Sequence, residues 1–161
     1  MSERVFVEAD IDGVVLRELP SHVDQRGWLC ELYRTDELDP DSHPTMAYVS
    51  ATHPGIARGP HEHVEQSDVF CFIGPSDFLL LLWDNRPESP TYNHHMRLTF
   101  GQAKPMLVVI PPGIVHGYLN VGDTMGIVMN LPNRLYRGEG RTEAVDEIRH
   151  EEDADSIYKM A

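Results

Sequence analysis

The chain of 161 residues is long enough to bury a core, and its 41% hydrophobic and 24% charged residues are typical of an ordinary globular domain. Its net charge of −13, with Lys104 and Lys159 as the only lysines, argues against nucleic-acid binding, because a phosphate backbone requires a basic surface. No apolar run is long enough to cross a bilayer and the first residues lack the pattern of a signal peptide, so we expect a cytoplasmic protein without membrane association.

The first half of the chain consists of short apolar runs separated by turn residues, a pattern that predicts β-strands. The expected strands are Val5–Val7, Val14–Leu16, Trp28–Tyr33, Met46–Thr52 and Val69–Ile73. Cys30 and Cys71 lie in two of these runs without CxxC spacing. They are therefore predicted to be reduced core residues.

The second half continues the same pattern and ends in a polar tail. Phe78–Trp83 is almost continuously apolar and predicts a fully buried strand. Further strands are expected at Met96–Phe100, Met106–Ile110, the stretch from His116 to Val121, and Met125–Leu131. A short helix is predicted near Thr142–Arg149. Many short strands with regular turns and little helix predict a single all-β domain over residues 1–161, a sandwich or a barrel.

Three histidines are the candidate functional side chains. His61 and His63 are two positions apart, so in a β-strand they project from the same face. His116 lies in the stretch PPGIVHGYLN, on a strand that can lie beside them. Three converging imidazoles form either a metal site or an acid/base site, and the spacing alone leaves both open.

These stretches resemble the motifs of a known family. PPGIVHGYLN is similar to the second motif of the cupin superfamily, and HEH between Gly55 and Gly74 resembles the first. More narrowly, the chain is identified as a divergent member of the dTDP-4-dehydrorhamnose 3,5-epimerase family, the RmlC-like cupins. The resemblance rests on DQRGWLCELY, GIARGPH, WDNRPESPT and IPPGIVHGY, which follow the family's order from about residue 24 to residue 120.

The resemblance implies a cupin jelly roll, a β-barrel or sandwich with a short helical C-terminal segment. It also implies a homodimer with exchanged N-terminal strands and a nucleotide-diphosphate 4-keto-6-deoxy sugar as substrate, without a cofactor. By motif match, the family's substrate-binding positions fall on Arg26, Trp28, Glu31, Arg58 and Tyr118. The implied catalytic residues are the base His61, the second proton carrier His63 or His116, and a C-terminal carboxylate, for which Asp153 and Asp146 are the candidates.

The chain also departs from the family pattern. A lysine suited to holding an enolate oxygen is replaced by Asp68, the family's tyrosine acid is replaced by Met129, and polar nucleotide-contacting positions are occupied by Met46 and Tyr48. A second hypothesis is therefore a metal-dependent cupin enzyme that holds one divalent transition metal. Its ligands would be His61, His63, Asp68 and His116. The same departures are compatible with a 3,4-ketoisomerase and with a non-catalytic sugar-binding cupin.

Overall fold

The computed structural model describes residues 4–160, so the two ends of the predicted domain 1–161 lie outside the described residues. Within this range the regular structure is almost entirely β. The thirteen strands are Val7–Glu8 (β1), Val15–Glu18 (β2), Ser21–Asp24 (β3), Gly27–Cys30 (β4), Tyr48–Thr52 (β5), Ala57–Glu62 (β6), Asp68–Phe72 (β7), Asp77–Asp84 (β8), His94–Gly101 (β9), Met106–Ile110 (β10), Ile114–Asn120 (β11), Gly126–Asn130 (β12) and Ile148–Arg149 (β13). None of the helices in this part of the chain is long and apolar enough to span a membrane.

Two large sheets build the domain. One sheet has the order β1-β9-β8-β11-β6-β13 and the other the order β2-β10-β7-β12-β5, while β3 and β4 form a separate hairpin. All the pairings are antiparallel except the parallel contact of β1 with β9. The prediction of an all-β cupin jelly roll is thereby confirmed.

The main core lies between the two sheets and is rich in aromatic side chains. Phe70 and Phe72 of β7 point into it with Phe78 and Leu80 of β8, all at most 2% exposed. The alternate residues of β7, Val69 and Cys71, are also buried, because a second apolar cluster covers the outer face of that sheet. Both faces of β7 are thus covered, which explains why its sequence from Val69 to Phe72 is continuously apolar rather than alternating. The two cysteines, Cys30 and Cys71, are free thiols.

The C-terminal segment differs from the prediction. The sequence predicts a helix near Thr142–Arg149, but the structure has 3-10 turns at Glu139–Arg141 and His150–Glu152 with the strand β13 between them. The reason is tertiary: Ile148 and Arg149 pair with Glu62 and His61 of β6. Local helical tendency is weak, and strand pairing against a sheet edge overrides it.

Candidate active site

Strand pairing brings the three histidines together at one end of the sandwich. His116 of β11 lies opposite His61 of β6 in the antiparallel register. The ring centroids are 4.6 Å apart for His61 and His116, 5.5 Å for His61 and His63, and 5.8 Å for His63 and His116. The close approach of β6 and β11 requires Gly59, which has φ +84°, and whose added Cβ would lie 2.7 Å from the carbonyl oxygen of His116.

Asp68 links two of the histidines. Its Oδ2 lies 3.1 Å from Nε2 of His63 and 3.0 Å from Nε2 of His116. Its Oδ1 accepts hydrogen bonds from the side-chain amides of Asn130 and Gln66, each 2.9 Å long. Burial would raise the pKa of this carboxyl, but the hydrogen bonds and charges of His116 and His63 outweigh it and hold the pKa well below its usual range. Asp68 is therefore ionised.

The other ring nitrogen of both histidines faces a backbone carbonyl. Nδ1 of His63 contacts the carbonyl oxygen of Asp146, and Nδ1 of His116 lies 2.9 Å from the carbonyl oxygen of Ile114. Burial would lower the pKa of His63, but the hydrogen bond and the charge of Asp68 dominate and raise it to about 9. The site around Asp68 consequently attracts positive charge.

His61 has a different environment from the other two histidines. Its Nδ1 lies 3.6 Å from Oε1 of Glu147 and 4.0 Å from Oε1 of Glu151. Burial, followed by the nearby His116 and His63, lowers the pKa of His61 to about 2, so its imidazole is neutral and keeps a lone pair. This low pKa disfavours the imidazolium, and the carboxylate of Glu147 behind Nδ1 offsets part of that cost when the ring accepts a proton.

Residues 133–147, which we call the strap, close the site. The Asp146 carboxylate accepts the backbone N–H groups of Val64, Glu65 and Gln66 at 2.8, 3.0 and 2.8 Å. These hydrogen bonds fasten the strap to the loop after β6 and place Glu147 beside His61. Asp146, one of the two predicted carboxylates, is thus a fastening group rather than the partner of His61.

A cavity of about 710 Å³ lies between the strap and the histidines. His61, His63 and Gln66 line it from the six-stranded sheet and the loop after it, and Tyr48 lines it from β5 of the other sheet. Most of the strap forms the remaining wall, including Arg134, Arg137 and Arg141. The volume is within the usual range for a small-molecule site, about 300–1,000 Å³.

Two predicted substrate-binding residues do not line this cavity. Arg58 is three positions before His61, so its side chain leaves the opposite face of β6 and donates to Thr52 Oγ1 at 2.9 Å and to the carbonyl oxygen of Ala51 at 2.8 Å. Tyr118 lies deeper along β11, where its ring packs on Phe70 and its hydroxyl is 2.8 Å from Oγ of Ser50. Arg58 therefore links β6 of one sheet to β5 of the other by hydrogen bonds, and Tyr118 is a core residue.

The remaining predictions fall on the hairpin and the tail. Arg26, Trp28 and Glu31 belong to or follow the β3–β4 hairpin, and none of them lines the cavity of its own chain. Asp153 is exposed after the last 3-10 turn, where its carboxylate accepts the backbone N–H of Asp155. It makes no contact with His61, whose Nδ1 faces the carboxylates of Glu147 and Glu151. Glu147 occupies that place instead.

The chain is similar in sequence to a known protein family and to two named proteins. The family model described as dTDP-4-dehydrorhamnose 3,5-epimerase matches residues 8–148, from β1 through the strap. The probable low-salt glycan biosynthesis epimerase Agl13 of Haloferax volcanii is 32% identical over 128 residues, which cover 79% of this chain and 81% of that protein. The spore coat polysaccharide biosynthesis protein SpsL of Bacillus subtilis is 36% identical over 114 residues, which cover 71% and 74%.

A solved structure shares the fold. The crystal structure of a dTDP sugar isomerase from Desulfovibrio desulfuricans G20 matches with a TM-score of 0.80 and 24% identity, covering 92% of this chain and 91% of the other. The match extends over nearly all of both chains, which shows that they share one fold.

Proposed function

The chain belongs to the dTDP-4-dehydrorhamnose 3,5-epimerase family, and from this membership we propose that it inverts a carbon beside the ketone of a nucleotide-diphosphate 4-keto-6-deoxy sugar. The family assignment made from the four motifs is thereby confirmed. A proton next to a carbonyl is acidic enough for a positioned base to remove, which gives an enolate. The carbon is inverted when a proton returns to the opposite face.

The observation that carries the proposal is His61 on the cavity wall. It lines the cavity, and Glu147 lies behind its Nδ1 at 3.6 Å. This leaves Nε2 to take the proton from the sugar carbon while the carboxylate stabilises the imidazolium. His61 is thus the proposed base.

Tyr48 is the proposed acid on the opposite side. It lines the cavity from the five-stranded sheet, whereas His61 belongs to the six-stranded sheet. Its hydroxyl oxygen accepts a 2.9 Å hydrogen bond from Asn130, which leaves its own proton for the cavity. Desolvation of the hydroxyl raises the pKa of Tyr48 to about 12, so the phenol stays protonated. In this proposal Tyr48 serves as the acid instead of the family's tyrosine, whose position is occupied by Met129 in this chain.

The strap supplies cations for a diphosphate. Arg134, Arg137 and Arg141 line the cavity, whereas Arg58, one of the expected substrate-binding residues, does not. Guanidinium groups bind phosphate oxygens with paired hydrogen bonds. In a chain with net charge −13, a local group of arginines is needed to hold an anionic substrate.

The proposed assembly is a homodimer that works in the cytoplasm, where free thiols such as Cys30 and Cys71 persist. The β3–β4 hairpin leaves Val23 77%, Leu29 62% and Trp28 58% exposed. A two-stranded hairpin is marginal in water, and an exposed apolar surface of this kind indicates an interface. A partner copy would cover the hairpin and receive its Arg26, Trp28 and Glu31 at a second cavity.

Replacing Leu29 with glutamate should therefore shift the protein from dimer to monomer in sedimentation velocity at micromolar concentration, because it places a charge in the covered surface. Ile157→Glu, at a residue 51% exposed on the tail, serves as the control and should remain dimeric. A wild-type protein that sediments as a monomer would rule out the exchange of hairpins.

The chemical test is incubation with dTDP-4-keto-6-deoxyglucose, followed by NMR of the sugar ring. An epimerase gives product with changed ring-proton couplings at a carbon beside the ketone, which is the expected result. A carbonyl that moves to the neighbouring carbon would instead identify a 3,4-ketoisomerase. Tight binding without any change would identify a sugar-binding protein.

A further inference from the structure

A buried hydrogen-bond network lies on the face of the six-stranded sheet that points away from the cavity. Its centre is Glu62, which is 6% exposed and whose side chain leaves β6 on the face opposite to those of His61 and His63. Oε1 of Glu62 accepts a hydrogen bond from Nδ2 of Asn85 at 2.9 Å and lies 2.9 Å from Nε2 of His150. The proton transfer at His61 uses none of these groups directly.

The end of the chain joins this network at a second point. The ring of Tyr158 packs on that of His150, with centroids 4.7 Å apart, and its hydroxyl donates to Oδ1 of Asn85 at 2.8 Å. Nη1 of Arg4 donates to the hydroxyl oxygen of Tyr158 at 2.9 Å. His150 is thus held between a buried carboxyl group and a buried tyrosine, and its own side chain is only 17% exposed.

The two faces of β13 connect the network to the cavity. In an extended chain, neighbouring side chains point to opposite faces. His150, directly after β13, reaches Glu62 on the outer face. On the inner face, the carboxylates of Glu147 and Glu151 lie 3.6 and 4.0 Å from Nδ1 of His61. The same short segment therefore carries an anchor on one side and both partners of the proposed base on the other.

β13 depends on anchors because it has only two residues, whereas ordinary strands have about three to ten. Asp146 fastens the chain before it to the loop after β6. His150 fastens the chain after it to β6 itself. Arg149 completes the arrangement, since its Nη2 lies 3.2 Å from Oε2 of Glu147, the oxygen that does not face His61. Loss of the anchor at His150 would free one end of the segment.

We infer that Glu62 and His150 form a positioning pair, whose hydrogen bond holds the two carboxylates that face Nδ1 of His61. This role rests on the proposed function, in which His61 is the base, and it extends that function to residues outside the cavity. A carboxylate at Nδ1 keeps the hydrogen on that nitrogen, so the lone pair stays on Nε2 for the sugar carbon. Neither member of the pair lines the cavity, so neither touches the substrate.

The kinetic test compares His150→Met with His150→Gln. Methionine and glutamine have side chains of similar length, but only glutamine donates a hydrogen bond to Glu62. With dTDP-4-keto-6-deoxyglucose, His150→Met should lower kcat by up to about 10²-fold, the cost of misplacing a catalytic group by about 1 Å, and leave KM nearly unchanged. His150→Gln should retain most of the wild-type kcat. Equal losses in the two variants would overturn the proposal, because the hydrogen bond would then not matter.

A double-mutant cycle shows whether the pair acts through the two carboxylates. In a protein that already carries Glu147→Gln and Glu151→Gln, His150→Met should lower kcat no further, because the groups that it positions are gone. The full loss of the single variant, repeated in this background, would overturn the proposal.

His43→Met is the matched control. The ring of His43 also packs on a tyrosine, Tyr33, at 5.9 Å between centroids, and its Nε2 lies 3.1 Å from the carbonyl oxygen of Leu38. His43 does not line the cavity, so this variant should lose stability and keep the wild-type kcat. Circular dichroism checks the folding of every variant.

A measurement without substrate separates the positioning pair from the proposed function. Nitrogen-15 NMR at fixed pH shows which ring nitrogen of His61 carries the hydrogen, and the signal is assigned by its absence in His61→Gln. We expect the hydrogen on Nδ1 in the wild type and in His150→Gln, and a mixture of tautomers in His150→Met. An unchanged tautomer in His150→Met would overturn the positioning role even in an active epimerase. A changed tautomer in a protein whose wild type leaves dTDP-4-keto-6-deoxyglucose unaltered would support the positioning role and remove the epimerase function.

Discussion

Replacing His61 with glutamine should slow deuterium incorporation from heavy water into a bound 4-keto sugar by about 10²–10⁴-fold, the usual contribution of a general base. The amide of glutamine fills the space of the imidazole but does not accept a proton at neutral pH. The affinity for the sugar nucleotide should change much less, because the strap arginines and the rest of the cavity wall are untouched. Mass spectrometry of the recovered sugar measures the exchange, and calorimetry measures the affinity.

Two controls accompany this variant. His53→Gln changes an exposed histidine outside the cavity, and Asp153→Asn changes the exposed carboxylate that the resemblance implied as a catalytic residue. Both should exchange deuterium at the wild-type rate. Wild-type exchange in His61→Gln would remove this histidine from the mechanism, whereas a slow Asp153→Asn would restore the carboxylate that the structure places outside the site.

Tyr48→Phe should separate the two halves of the reaction. Removal of the proton by His61 remains possible, so deuterium should still enter the sugar, but inversion should fall by about 10²–10⁴-fold because the acid of the facing sheet is gone. The ratio of inverted product to deuterium incorporated, obtained by NMR of one sample, is the quantity to compare with the wild type.

Tyr118→Phe is the matched control for that experiment. It also removes one tyrosine hydroxyl, but this hydroxyl is bonded to Ser50 in the core, so we expect a loss of about 0.5–1.5 kcal/mol in stability and an unchanged product ratio. If Tyr48→Phe inverts the sugar as the wild type does, another group returns the proton. If Tyr118→Phe is the slow variant, Tyr118 contacts substrate as the motif implied.

Most of the fold could be predicted from the sequence because its strands carry local signals. Met106–Ile110 is apolar between turn residues and forms β10 with the predicted bounds, and Phe78–Trp83 lies inside the buried β8. The strand expected at Trp28–Tyr33 ends earlier, at Cys30, and its hairpin partner Ser21–Asp24 went unpredicted because its four residues are all exposed and carry no apolar pattern. The helix near Thr142–Arg149 was wrong because β13 is determined by pairing with β6, a contact that no local pattern encodes.

In the candidate site, too, the residues with a local sequence signal were predicted and those without one were missed. His61, His63 and His116 converge as strand periodicity and the two motifs predicted, since one pair lies within a short stretch and the third on the adjacent strand. Glu147 could not be singled out, because it is one of many acidic residues in the tail, and it reaches His61 through the fastening by Asp146 and the pairing of β13 with β6. Arg58 does not line the cavity for a geometric reason, because positions three apart in a strand point to opposite faces.

Deuterium incorporation by the wild-type protein is the most direct test of proton abstraction by His61. The protein is saturated with dTDP-4-keto-6-deoxyglucose in heavy water, and the recovered sugar is compared with a sample incubated without protein. We expect rapid incorporation of deuterium at a carbon beside the ketone. The contradicting result is a bound sugar nucleotide that gains deuterium no faster than the sample without protein. His61 would then remove no proton although substrate occupies the cavity that it lines, and the proposed function would be wrong.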